Sequence, residues 1–488
     1  MVNSNRDLSN TIFFILFIIG LITFFILKTC GFNPCRSDEN IYFYMSKLFA
    51  EGIIPYRDFF FAHPPFKLVL MAILFKVFGF HLTLAKAVPV LIAMITASFL
   101  FVLTREQFGS AIGLIAALLF LFTYDKLRGS SHYTGMNLTV MFMVIGLFFA
   151  LHRRAFWAGI FFGIGSITGF YASVGAGALA LFWLLTERRQ FGRFVIGFAL
   201  IFLSTNLICA ILFGQKYIES VYVYHFLKPR MHGWNTTIFV RVFRNNLLVL
   251  IPALMSPLTL LWKNKLSMAY KSNKVSEMSS RRVVILLTLL LFCYVLFLIG
   301  LKRIFDFYFI LVFPFGAILA AYTLVTSFNR LVRLRSSFNK LTVRLIGGAI
   351  MTTLLLCNGI WAARKLIRHE SHYLRVAPEI ANYIVRHSSP EDKLFGDSSS
   401  APLVALLAKR RIAANFIDTN AMRFRSGITT VEQCLRELSN DQPKYILVKH
   451  NTGFIRVDGF QTYIDKYYIL KYIFKDPYYG TFLLYQIK

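Results

Sequence analysis

Charge is scarce in this sequence. Only 16% of its 488 residues are Asp, Glu, Lys or Arg, against about a quarter in soluble domains. Acids are scarcer still: 23 Asp and Glu stand against 53 Lys and Arg, a formal net charge of +30. Six cysteines are few for this length, which argues against a disulfide-built scaffold. Cys30 and Cys35 either bridge in an oxidising compartment or stay free thiols; spacing alone does not decide. No internal repeat is evident. Residues 365–488 hold no Gly-rich phosphate loop, no Cys/His zinc spacing and no G-x-S-x-G elbow, which removes the readiest routes to nucleotide, zinc and acyl-serine chemistry there.

What is present is apolar. Hydrophobic residues make up 57% of the chain, and the mean hydropathy is +0.59. Runs such as "TIFFILFIIGLITFFILK" and "LTLAKAVPVLIAMITASFLFVL" are long enough to cross a bilayer as helices. The expected fold class is therefore a polytopic α-helical membrane protein. The first run is followed by "TCGFNPC", a poor match to a signal-peptidase site, so it reads as a retained first span.

The basic residues cluster in short segments: "HRR" (152–154), "ERRQFGR" (187–193), "KNKLSMAYKSNKVSEMSSRR" (263–282) and "NRLVRLRSSFNK" (329–340). The positive-inside pattern places all four in the cytoplasm, with two spans between each and the next. The positive charge thus reads as topology and contact with anionic lipid rather than as nucleic-acid binding. Counting back from "HRR" puts residues 30–81 on the opposite side. Residues 65–80 are then a helix lying in the interface or dipping in from that side, since a crossing there would reverse the parity of every later loop. The count comes to about eleven spans, the last near 345–363. Residues 1–364 form the transmembrane domain. Residues 365–488 form a small α/β domain on the same side as the 30–81 loop. Its helices are expected at "VAPEIANYIVRHS" and "TTVEQCLRELSND", with Thr430 as a cap. Its strands are expected at "DKLFGDS" and "PKYILVKH", and a hairpin joins "YYILKYIFK" and "GTFLLYQIK" around "DPYYG".

Residues 35–65, "CRSDENIYFYMSKLFAEGIIPYRDFFFAHPP", are too apolar for a solvated loop. Asp38 and Glu39 fit the first turn of a helix capped by Ser37; at a membrane surface, where charge is costly unless used, Asp38 also fits a catalytic base, with Glu39 on the next helical position pointing elsewhere. Arg57 and Asp58 read as a local salt bridge after Pro55, and His63 as a cap for the interfacial helix. Two further loops on that side carry cations: Lys228 and Arg230, with His225 and His232 beside them, and Lys302 and Arg303, with Asp306 as a pairing acid. These cations either snorkel to the interface or bind phosphate. A carboxylate facing such a cluster suits group transfer from a lipid-linked phosphate. The cations hold the phosphate as leaving group, and the acid deprotonates an acceptor hydroxyl.

The segment "SDENIYFYMSKLFAEGIIPYRDFFFAHPPFKLVLMAILFKVFG" resembles the first loop of GT-C glycosyltransferases of the protein-mannosyltransferase and aminoarabinose-transferase type. Asp-Glu is followed by Tyr and a helix, then by G-x-x-P-Y-x-D-F and Pro-Pro. "RIFDFYFILVFPFGAILAA" (303–321) is similar to the later Arg…Tyr…Pro span of that family. The resemblance implies a plasma-membrane (inner-membrane) enzyme that moves a sugar from a polyprenyl-phosphate donor to an acceptor hydroxyl of a lipid, glycan or protein. It implies Asp38 as the general base with Glu39 beside it, and it favours Lys302 and Arg303 as phosphate contacts; Arg57, Asp58, His63, Asp125, Lys228, Arg230 and Tyr308 are the further candidates for substrate binding. One element departs from the pattern. Many relatives carry a second acid before the fourth span, where this chain has Asn137; the only acid in that loop is Asp125. Asp38, Glu39 and Asp125 are a thin ligand set for a divalent ion, so no cofactor is expected. The alternative function, a transporter or flippase for a lipid-linked saccharide, would need charged or broken helices near the midplane, and the spans are mostly clean.

Overall fold

The computed structural model describes residues 2–229, 233–261, 278–334, 340–451 and 459–488. The expected Arg230 and His232 sites lie outside the described residues. Among those described, six helices are long and apolar enough to cross a membrane, or seven if one bent pair is a single span. The long ones are α1 (Val2–Thr29), α4 (Leu82–Phe108), α10 (Arg188–Phe213), α15 (Ser280–Gly300), α16 (Phe313–Leu334) and α17 (Lys340–Glu370). The bent pair is α13 (Trp234–Asn245) and α14 (Leu247–Thr259), which meet at 94°. Asn246 sits at the bend, where its Nδ2 donates to the Val242 carbonyl. Shorter apolar helices α5 (Ser110–Phe122), α7 (Met136–Leu151), α8 (Ala155–Thr168) and α9 (Ala172–Thr186) fill the bundle.

Small residues let these helices meet closely. A Cβ on Gly159 would lie 2.2 Å from the Phe194 carbonyl oxygen, and one on Gly197 would lie 2.1 Å from that of Phe156. Helices α8 and α10 therefore touch backbone to backbone, which only glycine permits.

The loops divide between two ends of the bundle. At one end, Glu187 is shared by Arg153 and Arg282, His152 meets Glu106 at 3.1 Å, and the Ser280 hydroxyl donates to the Gln107 carbonyl. Three of the four basic segments expected to share a side thus come together, 263–282 through its described end; residues 263–277 and 335–339 lie outside the described residues. At the other end lie the 30–81 loop, the α6 segment (Tyr124–Gly129), the 215–227 stretch with α11 (Gln215–Ile218) and α12 (Tyr224–Leu227), the 301–311 loop and the C-terminal domain. The first loop carries α2 (Glu39–Ala50) and α3 (Phe66–Phe78). Helix α3 has 13 residues. Both helices bury one face in the protein: Phe43, Tyr44 and Leu48 on α2, Leu68, Met71 and Phe75 on α3.

The C-terminal domain starts directly after α17. It is a five-stranded sheet in the order β2-β1-β3-β5-β4. Its strands are β1 (Lys393–Gly396), β2 (Arg411–Ile412), β3 (Tyr445–Lys449), β4 (Tyr468–Asp476) and β5 (Gly480–Ile487). β1 pairs in parallel with β2 and β3, and the β4–β5 hairpin closes the sheet antiparallel to β3. Helices α18 (Ala377–His387), α19 (Ala401–Ala408), α20 (Ala421–Arg425), α21 (Val431–Asp441) and α22 (Phe460–Tyr467) cover it. Thr430 caps α21 as expected, its hydroxyl accepting from the Gln433 amide at 3.1 Å.

This domain is docked, not tethered. The Tyr44 hydroxyl accepts from the Ile412 amide at 2.6 Å, and Asn40 donates to the Ser399 carbonyl at 2.7 Å. Arg36 pairs with Asp397 at 3.2 Å and Arg411 with Glu51 at 2.8 Å. Each bond joins the domain to the first loop.

Candidate active site

Asp38 stands at the entrance to α2, and its carboxylate makes no capping hydrogen bond. The capping expected of the acids falls instead to Ser37, whose hydroxyl accepts from the Glu39 amide at 3.3 Å. The Asp38 side chain is half-buried. Burial pushes its carboxyl above the ordinary range, and the nearby Asp418 carboxylate adds to that; Lys67, Arg303 and Arg36 pull the other way. Asp38 is therefore an acid held among cations, without a described hydrogen-bond donor of its own.

The cations arrive from three elements. Lys67, from α3, is buried, with its ammonium 3.5 Å above the Tyr42 ring. Burial holds it well below the ordinary lysine range, against the opposing pull of Asp38. Lys228 follows α12; its ammonium lies 4.3 Å over Tyr224 and donates to His225 Nδ1 at 3.3 Å. Burial brings it down to about 8. His225 Nε2 lies 2.7 Å from the Ala62 carbonyl, so Nε2 carries the proton and Nδ1 accepts. Burial and then Lys228 hold His225 down to about 4. Arg303 lies against the Trp234 and Phe305 rings at 5.4 and 4.6 Å, and its Nε is buried with no hydrogen-bond partner. A buried guanidinium donor without a protein partner has the chemistry to bond an oxyanion.

Tyrosines and histidine complete the walls. Tyr308 hydrogen-bonds Tyr171, with ring centroids 5.3 Å apart. The Tyr42 hydroxyl meets His63 Nε2 at 3.2 Å. His63 is kept neutral, first by burial and then by Lys67, His225 and Lys228. It does not cap α3.

Other expected residues are placed elsewhere. Glu39 turns away from Asp38 into a buried cluster, where Lys86 of α4 forms an ion pair with it. The Cys35 thiol donates to Glu39 Oε1 at 2.8 Å, the Tyr133 amide donates to Oε2 at 3.1 Å, and His132 Nδ1 lies 3.5 Å from Oε1. Cys35, Glu39 and His132 are close enough to share a metal ion. The Lys86 ammonium, bonded to Glu39 and 3.2 Å from Cys35 Sγ, already supplies the cation. Cys30 and Cys35 are both free thiols. Arg57 and Asp58 pair with each other through two contacts of 2.9 and 2.8 Å, and Asp58 also accepts from the Ile54 amide. They fix the turn and do not join the cations. Asp125 accepts from Asn246 Nδ2 at 2.6 Å in a separate cluster. Asp306 pairs with Arg128 and Arg241, not with Lys302 or Arg303 as expected. Lys302 spends its ammonium on the Phe226 and Lys228 carbonyls, so it shapes the Lys228 loop and does not enter the site.

Sequence reading places residues 65–80 in an interfacial helix without singling out Lys67 as a site residue, and it misses Asp418 altogether. The backbone at Gly135 explains the precision at Lys67. Gly135 has φ +83°, and a Cβ there would lie 2.7 Å from Lys67 Cε. Gly135→Ala is expected to cost about 1–2 kcal/mol from the left-handed backbone alone and to displace the lysine. The check is a lower unfolding midpoint of the solubilised protein.

The architecture is similar to the fold of the GT-C glycosyltransferases. Residues 62–213 match the family described as dolichyl-phosphate-mannose-protein mannosyltransferase, a match that begins beyond Asp38. Among solved structures, the chain is similar to ArnT from Cupriavidus metallidurans bound to undecaprenyl phosphate: 14% identity over 96% of this chain and 97% of that one, TM-score 0.68. It is also similar to the oligosaccharyltransferase of Archaeoglobus fulgidus, with 14% identity, coverage of 98% and 74%, and TM-score 0.55. The mycobacterial arabinofuranosyltransferase AftD aligns with 12% identity, coverage of 96% and 41%, and TM-score 0.51. No curated protein matches the sequence. The resemblance drawn from residues 37–79 and the structural similarity thus agree on the fold.

Proposed function

We propose that the protein is a membrane glycosyltransferase that moves a sugar from a polyprenyl-phosphate carrier to an acceptor hydroxyl. Its bundle crosses the membrane with about eleven helices. The site end and the C-terminal domain face away from the cytoplasm, opposite the basic loops. One observation carries the reading: Asp38, free of a capping bond, stands among the charges of Lys67, Lys228 and Arg303, and the Nε of Arg303 is a buried donor without a partner. The three cations outweigh the acid and fit a phosphate leaving group. Asp38 takes the proton of the acceptor hydroxyl as its oxygen attacks the anomeric carbon. The C–O bond to the phosphate breaks, and the phosphate keeps the electron pair under the cations. A soluble base would not reach this depth. The donor's prenyl tail confines its phosphate to the headgroup layer, and the apolar first loop brings Asp38 there. Among the described residues, the transmembrane loops bring no second carboxylate beside Asp38.

The relatives support the donor class: one of the similar folds carries undecaprenyl phosphate in its structure. None of the three is named as a transporter, and the transport alternative gains no support. The test is incubation of the purified full-length protein in nanodiscs with a panel of undecaprenyl-phosphate-linked sugars, scored by release of free undecaprenyl phosphate. No release with any donor, while undecaprenyl phosphate itself fails to bind, would overturn the reading. Within it, Arg303→Ala is expected to weaken undecaprenyl-phosphate binding by about 10- to 150-fold, since charged hydrogen bonds contribute about 1.5–3 kcal/mol. Arg303→Lys should restore only part, for want of the planar fork. Titration calorimetry on the two variants measures both effects.

A further inference from the structure

We propose that Asp418 of the C-terminal domain is the second carboxylate of the site, a positioning residue that acts through Asp38 and makes the docked domain part of the active centre. The proposal rests on the general-base reading of Asp38 and goes beyond it, because the transmembrane loops leave Asp38 alone. Asp125, the acid of the loop before α7, is bound to Asn246 in another cluster. The position of Asn137 is likewise closed: its side chain accepts from Lys126 at 2.8 Å and donates to the Gly129 carbonyl at 2.9 Å.

The domain delivers Asp418 through a built interface. The segment 411–423 lies on the first loop, held by the Ile412–Tyr44 bond, by Arg411–Glu51, and by Asn415 Nδ2 at 3.5 Å from the Asp58 carbonyl. Asp418 Oδ1 accepts from the Asn420 amide at 3.0 Å, and its backbone carbonyl accepts from Arg423 Nη1 at 3.1 Å. The Arg423 guanidinium is sandwiched between Phe416 at 4.0 Å and Phe60 at 4.4 Å. Phe60 in turn meets Tyr224 edge-on at 5.3 Å, the ring beneath Lys228. A continuous stack thus runs from the domain to the phosphate-side lysine and fixes where Asp418 stands. Its charge neighbours include Asp38, Lys228, Tyr42 and Tyr224.

The consequence is electrostatic. Asp38 faces Arg36 and Tyr42 of its own loop, Lys67 of α3, Tyr224 and Lys228 after α11, Arg303 and Tyr308 of the 301–311 loop, and Asp418 of the domain. With Lys67, Lys228 and Arg303 alone beside it, Asp38 would be a weak base. Asp418 opposes them. A like charge nearby disfavours ionisation and so strengthens the base. The same carboxylate repels an incoming phosphate, so it costs donor affinity while it aids proton removal.

This opposition gives the test a signature that misfolding does not share. Asp418→Asn, in the full-length protein, is expected to bind undecaprenyl phosphate several-fold more tightly. Its turnover in the release assay should fall, and the acidic limb of the pH–rate profile should move down by roughly half to one pH unit. Asp418→Glu keeps the charge and should restore the limb. A misfolded variant would lose phosphate binding, the opposite sign. If Asp418→Asn leaves both the phosphate affinity and the limb where the wild type has them, while Asp38→Asn is inactive, the inference falls and the base reading stands. If Asp38→Asn is fully active, the base reading falls and takes this inference with it.

Discussion

Asp38→Asn is expected to lower turnover by about 10²–10⁴, the usual cost of removing a positioned base, and to leave undecaprenyl-phosphate affinity no weaker than in the wild type. The amide keeps the shape of the side chain, and no capping bond is lost because the carboxylate makes none. Folding should therefore be unchanged. What is lost is the ability to take a proton. The sign of the pH dependence follows from the environment. Burial raises the Asp38 carboxyl first, and Asp418 adds to the rise. A base must be ionised, so turnover should drop as pH falls through a value above the ordinary ~3.9 of an aspartate. Stopped assays across the pH range, with donor binding measured in parallel, separate the two effects. Glu39→Gln should behave differently, since its carboxylate bonds Lys86 and the Tyr133 amide rather than facing the cations. Normal turnover in Asp38→Asn together with inactivity in Glu39→Gln would reverse the assignment.

Part of the bundle's organisation is legible in the sequence because basic residues gather in the loops of one end. The segments at 152–154, 187–193 and 263–282 read as one face; residues 263–277 lie outside the described residues, and Glu187 bonds both Arg153 and Arg282. The sheet strands with alternating or continuous apolar runs, β1, β3 and the β4–β5 hairpin, are legible for the same reason of simple patterning. The two-residue strand β2 and the helix Ala401–Ala408 are not: the first is too short to show a period, and the second is apolar on nearly every side. At the site, Asp38, Lys228 and Arg303 are legible as charges that a membrane surface does not carry without use. Lys67 is not, because a lysine on an interfacial helix looks the same whether it snorkels outward or is buried over Tyr42. Asp418 has no local signal at all. It acts across 380 residues of sequence, 418 minus 38, and only the docking of the domain brings the two acids together. The pairing of Asp306 escapes sequence reading for a related reason. Sequence neighbours suggest Lys302 and Arg303, while the fold supplies Arg128 and Arg241 from other elements.

Lys86→Met should be the most destabilising single change among the charged residues near the site, by about 3–5 kcal/mol, the typical cost of breaking a buried ion pair from one side. Lys86 is on α4 and Glu39 on α2, both buried, so the pair joins the first loop to the bundle. The energy resides less in the attraction than in what removal leaves behind: a buried carboxylate with the Cys35 thiol, the Tyr133 amide and His132 as its remaining partners. Lys86→Met with Glu39→Gln removes both charges and should recover most of the loss. pH supplies the decisive comparison. In the wild type, burial acts to raise the Glu39 carboxyl, but Lys86, then His132 and Cys35, outweigh it and hold it below the ordinary range. Its contribution to stability is thus present above the unfolded-state pKa, ~4.3 for a glutamate, and is lost only as pH falls through the lower folded value. Without Lys86 the balance reverses and burial favours the protonated acid. The gap between wild type and Lys86→Met should then narrow as pH is lowered from 7 towards 5, because the variant sheds its buried charge by taking up a proton. The double variant has no such charge, and its unfolding midpoint should follow the wild type across that window. A gap that stays constant with pH would mean that Lys86 matters for its packing and not for its charge. Because Glu39 is the residue next to Asp38, the same variant should also lose turnover before it unfolds, and the double variant should regain it.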